Sequence, residues 1–390
     1  MTAQVVVLGS GYAGAGAIQS LEGALDGEAE ITWVSDVDYH LVLHESHRCI
    51  RDPSVQEHVK IPVEDIKSPG TEFVQARVTG IDTDNRTVEL DDGELDYDYL
   101  LVGLGTRTAF FGIEGLQTHA HTLKSLDDAL SIHDDLKRAA REASHDDPAQ
   151  VIVGGAGLSG IQTAGEIAGF RDDRDAPIEI HLVEGLDEIF PGNDASIQQA
   201  LRSLLEKRDV NIITGEFIQE VDDTTVYIGD GDQMELEYDV LVWTGGITGR
   251  DAVREANVDK HERNYRLHAE QNFQTSNERV FAIGDAALIE QGEEKDPSPP
   301  TAQAAWQAAE VVGENIARAI HGQPLKDWTY KNKGTVVSVG ESAVAHDVYV
   351  VPFVSTFGSL PAKTLKKVIA TRWIRDLTDT RTAMKAWPDM

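Results

Sequence analysis

The chain is short of cysteine, of positive charge and of long apolar runs, and each shortage removes a class of function. Cys49 is its one cysteine. An intramolecular disulfide is therefore impossible, as is a Cys-cluster zinc or iron–sulfur site, so any redox chemistry must run without a protein dithiol. Basic residues number 34 against 67 acidic ones, a net charge of −33. Such a chain repels phosphate backbones and gains nothing from counterion release, which argues against a nucleic-acid partner. No window reaches the ~18 uninterrupted apolar residues of a membrane-spanning helix. The opening MTAQVVVL runs straight into a strand with no positive n-region, so no signal peptide is expected and the expected location is cytoplasmic.

What remains is a normal globular balance, 41% hydrophobic and 26% charged over 390 residues, enough for two or three domains at ~150 residues each. One motif occurs twice. A buried apolar strand at 5–8 leads into Gly9-Ser10-Gly11-Tyr12-Ala13-Gly14 and a small-residue helix at 15–21. A second such strand at 151–153 leads into Gly155-Ala156-Gly157-Leu158-Ser159-Gly160 and a helix at 161–169. Further strands follow at 31–34 and 178–183. This alternation predicts an α/β fold with two Rossmann-like dinucleotide-binding domains, each a parallel sheet covered by helices. Runs at 73–81, 87–90, 212–214 and 225–228 read as antiparallel excursions. A polar, proline-rich loop at 290–300 precedes a helix expected over 301–320.

The glycines have separate duties: a tight turn, close backbone approach to a pyrophosphate, and tight helix–strand packing. Tyr12 and Ala13 lie inside the first loop and are candidate cofactor contacts. Glu184 ends the strand after the second loop, where a carboxylate binds ribose hydroxyls and repels a 2′-phosphate, favouring NADH over NADPH. In the first copy the equivalent position is Ser35 with Asp36 beside it, and either can serve the ribose. Thr275 to Asp285, ending Phe281-Ala282-Ile283-Gly284-Asp285, resembles the C-terminal FAD fingerprint of two-dinucleotide-domain flavoproteins; the resemblance implies that Gly284 and Asp285 bind FAD near its ribityl–phosphate region. The order FAD, NAD, FAD implies a discontinuous FAD-binding domain of residues 1–112 and 245–330, an NAD(H)-binding domain of 113–244 between them, and a C-terminal segment of 331–390. The crossings are expected near Gly105 and Gly245, both candidate cofactor contacts.

Several local motifs are similar to type II NADH dehydrogenases: Asp38-Tyr39-His40-Leu41, Phe110 to Leu116, Leu123 to Ala129, and Ala164-Gly165-Glu166. The resemblance implies that Glu166 lies near the nicotinamide; Gln162 stands where the family has Glu. Ala302-Gln303-Ala304-Ala305-Trp306-Gln307 matches the family's AQxxxQ pattern beside flavin and quinone, and Gln303 and Gln307 share one helix face at i, i+4. Lys333 resembles a family lysine near the flavin, with a solvated surface lysine as the other reading. The cysteine pairs of disulfide reductases and sulfide:quinone oxidoreductases are absent. The Cys-Gly-aromatic context of coenzyme A disulfide reductases is absent around Cys49, which reads as an idle thiol.

The segment 361–375 inverts the charge, with Lys363, Lys366, Lys367, Arg372 and Arg375 and no acidic residue. Leu365, Val368, Ile369 and Trp373 form an apolar stripe at helical spacing. Such a helix, with the apolar run 348–357, is a candidate for peripheral membrane contact; the alternative is packing on the core or on a second copy in a homodimer. The acidic surface resembles that of proteins from salt-accumulating halophiles. With the two glycine loops, the resemblance to type II NADH dehydrogenases implies an FAD-dependent oxidoreductase that takes hydride from NADH and passes electrons to a quinone. A reductase of a small ferredoxin- or rubredoxin-type carrier is the alternative enzyme, and an NADH-binding redox-sensing flavoprotein the non-enzymatic one. No metal site is expected.

Overall fold

The computed structural model describes residues 2–229, 234–292, 296–348, 356–358 and 360–387. The chain opens with β1 (Ala3–Leu8), α1 (Tyr12–Leu25), β2 (Ala29–Ser35), β3 (Thr71–Gln75) and β4 (Tyr99–Val102). The second repeat of this plan gives β5 (Ala149–Gly154), α2 (Leu158–Arg174), β6 (Ile178–Glu184), β7 (Val210–Thr214) and β8 (Val240–Trp243). Then come β9 (Val280–Ala282), α3 (Ala302–Ile320), the strands β10 (Thr335–Val339), β11 (Ser342–His346) and β12 (Thr356–Gly358), and the helices α4 (Leu360–Leu377) and α5 (Thr380–Ala386).

β9 returns to the first sheet, whose order is β9-β4-β1-β2-β3, all parallel. The second sheet is β7-β6-β5-β8, also parallel. In each, the strand before the glycine loop has neighbours reached in opposite directions, so a crevice opens at its carboxyl end. The two crossings between the sheets run side by side: Thr106–Thr108 pairs antiparallel with Ile247–Gly249.

α1 and α2 are longer at both ends than the small-residue runs suggest. Gly11 and Gly157 are their N-caps, and each helix stops at an aspartate, Asp26 or Asp175, in the left-handed region. Two strand assignments also change. Residues 73–81 are not one strand: the Ala76 N–H bonds Ser35 O at 2.9 Å, extending the parallel sheet, while the next N–H, from Arg77, bonds Asp91 Oδ1 at 3.0 Å and starts the antiparallel hairpin sheet. Residues 212–214 belong to β7, a parallel edge strand rather than an antiparallel one.

The apolar core is continuous through both sheets and includes Trp33, Leu100, Leu101, Val151, Phe170 and Phe281, each almost fully buried. Small residues let α1 and α3 close on each other. A Cβ on Gly16 would lie 2.8 Å from the Ala309 methyl, and one on Gly313 would lie 2.5 Å from Leu21 N. The last three strands form an antiparallel sheet that lies flush on α2, where a Cβ on Gly165 would come within 2.6 Å of Gly340 N. No helix among the described residues is long and apolar enough to cross a membrane.

Candidate active site

The two glycine loops are built alike. Gly9 and Gly155 hold φ of +97° and +91°, which a side chain resists. A Cβ on Gly14 or Gly160 would sit 1.8 Å from the carbonyl oxygen of Gly9 or Gly155, so glycine is what lets each helix close on its loop. At Gly11 and Gly157, by contrast, an added Cβ would meet nothing within 4 Å. Those open positions cap α1 and α2, where unpaired N–H groups and the positive dipole end face outward: two seats with the shape and polarity for a pyrophosphate.

The two ribose positions differ. Glu184 Oε2 accepts from Ala156 N at 2.7 Å and Oε1 from Leu186 N at 3.1 Å, which fixes the carboxylate beside the second loop. Ser35 is buried, and its Oγ lies 2.8 Å from Ser10 Oγ, so that hydroxyl is spent inside the loop. Asp36 stays exposed at the sheet edge.

Other segments converge on the first seat. A Cβ on Gly284 would lie 3.0 Å from that of Ala13 and 3.4 Å from that of Ala305, and one on Gly103 would lie 3.3 Å from that of Ala13. The turn at Asp285, the Gly103–Gly105 crossing and the first turn of α3, beginning at Ala302, thus surround the start of α1. Asp285 faces Lys124 and Arg266. Burial raises its pKa against the lowering effect of both cations, and burial likewise lowers the Lys124 pKa. Beside Gly105, the Thr106 Oγ1 is buried with no hydrogen-bond partner among the described residues. An open glycine cap, an orphaned hydroxyl, a half-buried Lys124 and a buried Arg266 suit an FAD-sized nucleotide. At the second seat, Gly245 N lies 2.9 Å from where a Gly155 Cβ would be.

Gln303 and Gln307 do share a face of α3, but their amides clamp the segment that follows. Gln303 Oε1 accepts from Lys333 N at 2.7 Å and from the Tyr330 hydroxyl at 3.2 Å, and its Nε2 donates to Gly334 O at 3.2 Å. Gln307 makes the matching pair with the Lys331 backbone. The Lys333 side chain is exposed.

Glu166 is buried on α2, and burial pushes its pKa up to about 7 against the lowering pull of Arg48, Lys366 and Arg51. It belongs to a polar cluster that the sequence did not announce. Lys366 Nζ lies 3.3 Å from Glu45 Oε1 and donates to Ser338 Oγ at 2.6 Å. Ser338 Oγ is also reached by Gln162 Nε2 and by His47 Nε2, each at 3.1 Å. The Ala-Gly-Glu motif gave away one member only; nothing local marks Glu45, Ser338 and Lys366 as neighbours. Cys49 is fully buried and its thiol is pushed up to about 12, chiefly by burial, which leaves no thiolate for chemistry.

The basic tail departs from the amphipathic reading. Trp373 and Lys366 point inward, while Val368 and Ile369 point out. Lys363 pairs with Glu341, and Arg372 and Arg375 both reach Asp376. The inward face is the stripe Ala362, Ala370, Trp373, Ile374 and Leu377, within which Lys366 meets the buried Glu45 carboxylate. Of the apolar run 348–357, Val348 is buried, and residues 349–355 lie outside the described residues.

The pyridine nucleotide-disulphide oxidoreductase family pattern matches residues 3–309. A type II NADH:quinone oxidoreductase of Staphylococcus aureus (strain NCTC 8325 / PS 47) is 32% identical over 387 residues, covering 95% of this chain and 94% of its own. Among solved structures, NDH2 of Plasmodium falciparum in complex with NADH superposes with a TM-score of 0.86 at 18% identity, covering 100% of this chain and 98% of that one. The sulfide:quinone oxidoreductase of Aquifex aeolicus gives 0.80 at 19% identity, over 97% and 92%. At these identities both structures speak to the fold alone.

Proposed function

Because this chain belongs to the pyridine nucleotide-disulphide oxidoreductase family, we propose that it is an FAD-dependent NADH:quinone oxidoreductase of the type II class. The observation that carries this reading is the pair of matched seats, open at Gly11 and Gly157, in a chain whose single thiol is buried and inert. With no sulfur relay, electrons have to pass directly between bound rings. When bound, FAD supplies the hydride acceptor for NADH and the electron donor for quinone. Residues 1–112 with 245–330 would form the FAD unit, and 113–244 the NADH unit.

The chain's own groups do the positioning. The loop N–H groups at Gly11 and Gly157 hold the two pyrophosphates, Glu184 holds the NADH ribose, and Asp285 and Lys124 border the flavin nucleotide. Gln303 and Gln307, by clamping residues 331–334, shape the wall along which quinone approaches. Glu166, poised near neutrality, can hold or release a proton at its carboxyl oxygen. For membrane contact, Leu360, Val368, Ile369 and Met384 are exposed apolar side chains on α4 and α5, available to a lipid surface that holds the acceptor. The net charge of −33 suits work in concentrated salt.

The test is direct. In high salt, anaerobic NADH should bleach the flavin absorbance, and a short-chain quinone should restore it within the turnover time. Colour that returns only with a ferredoxin-type protein, or not at all, overturns the quinone assignment. Glu184 makes a second prediction: NADH is preferred over NADPH by about 100-fold in kcat/KM, and Glu184→Ser narrows the ratio to about tenfold or less. Paired steady-state assays with the two nucleotides check this.

Glu166→Gln provides a third prediction. Wild-type quinone reduction should show a titration limb near pH 7, and the variant should lose it. Stability moves with a definite sign. A carboxyl whose folded pKa is raised costs stability as pH climbs from its usual range through about 7. The variant should therefore gain relative to wild type between pH 5 and pH 8 in thermal melts.

A further inference from the structure

We propose that the C-terminal helix α4 is part of the flavin-nucleotide seat, because Trp373 positions the first glycine loop through His40. Trp373 is buried, and its Nε1 donates to His40 Nε2 at 2.9 Å. His40, fully buried, places Nδ1 2.8 Å from the carbonyl oxygen of Ser10, the residue before Gly11. An indole N–H can only donate and a carbonyl can only accept. Both bonds exist together only in the neutral imidazole with its proton on Nδ1, so the ring is fixed in tautomer and orientation. Burial keeps it neutral, lowering its pKa to about 4.

The effect on the seat follows from peptide geometry. Ser10 C=O and Gly11 N–H belong to one planar trans unit, so drawing the oxygen toward His40 aims the Gly11 N–H the opposite way. That N–H belongs to the N-cap residue of α1, the position where an added Cβ would meet open space. Ser10 is held from its side chain as well, with Oγ donating to Tyr39 O at 2.9 Å. The Trp373 ring centroid lies 4.7 Å from that of Tyr12, the first residue of α1, and 4.5 Å from that of Trp306, which it meets edge-on and which lies between Gln303 and Gln307. A second tie holds the same helix down: Gln19 Nε2 donates to Leu377 O at 2.7 Å. Residues near the end of the chain therefore set the geometry of a loop near its beginning, and flavin residence time is their readout. Trp373 and His40 are positioning residues; neither needs to touch the nucleotide.

This inference rests on the reading that puts FAD at Gly9–Gly14, and the experiment separates the two. Holoprotein is diluted into a scavenger of free flavin, and FAD release is followed by fluorescence. Trp373→Phe keeps an aromatic ring but removes the donor, and should speed release by about 5- to 30-fold, the worth of one buried hydrogen bond. His40→Asn, which keeps a donor for Ser10 but not the acceptor position for Trp373, should also speed release. Adding Trp373→Phe to it should change little, because the two act in one chain. Ile374→Ala, on the same helix, supplies the purely structural comparison: it should lower the melting temperature yet leave release within about twofold. Equal effects of Trp373→Phe and Ile374→Ala on release, or unchanged release in both Trp373→Phe and His40→Asn, overturn the inference. Gly11→Glu puts a carboxylate in the pyrophosphate's place. Full flavin retention there would instead sink the underlying site assignment.

Discussion

Lys366→Met is expected to cost about 2–3 kcal/mol of stability, because it leaves the buried Glu45 carboxylate with Arg48, at 3.8 Å, as its remaining cationic partner. The expected companion result is recovery: Glu45→Gln with Lys366→Met should regain most of the loss, since replacing both partners removes the buried charge that Lys366 had balanced. Urea or thermal unfolding of the three variants measures this. Destabilisation that persists undiminished in the double variant would place the role of Lys366 in Ser338 rather than Glu45. The same substitution should reach the chemistry. Lys366 helps to hold the Glu166 pKa down to about 7. Without it the carboxyl titrates higher, so the neutral-pH limb of quinone reduction moves to more alkaline pH in whatever fraction remains folded.

Gly157→Glu and Gly160→Val, three residues apart, should fail in opposite ways. At Gly157 a side chain meets open space, so the variant folds, keeps its flavin and melts within about 0.5 kcal/mol of wild type. Its carboxylate occupies the pyrophosphate seat of α2, and NADH affinity should fall by about 100-fold or more, read as slower flavin bleaching at fixed NADH. At Gly160 a Cβ would sit 1.8 Å from Gly155 O and 2.8 Å from Thr244 Oγ1, so the variant should lose folded yield rather than affinity alone. Normal NADH binding by Gly157→Glu would remove NADH from the second seat.

The parts of this protein that can be read from its sequence are the local ones. Each glycine loop carries its strand, turn and helix within a few residues, so both parallel sheets and the return of Val280–Ala282 follow from short stretches. The strand break at Ala76 and Arg77 does not, because apolar alternation runs through it and only the hydrogen bond to Asp91, from a different hairpin, separates the two pieces. The spacing of Gln303 and Gln307 marks a shared face; what that face holds depends on backbone from residues 331–334. The tail shows the clearest limit. Hydropathy sorts Trp373 with Val368 and Ile369, yet the helix turns in the stripe Ala362, Ala370, Trp373, Ile374 and Leu377, and carries Lys366 in with it to meet a carboxylate some three hundred residues earlier. The cluster around Glu166 was illegible for the same reason, since its members come from Glu45, Gln162, Ser338 and Lys366 on four separate elements.

The contact of the last sheet with Gly165 fixes a sequence of events during synthesis. Glu45 and Glu166 emerge from the ribosome long before Lys366, and both glycine loops can already fold while Lys366 is still unmade. Until Lys366 is made, Glu45 has Arg48 beside it but lacks the ammonium that it meets in the folded protein. Docking of the last sheet and α4, rather than formation of either parallel sheet, completes the cluster.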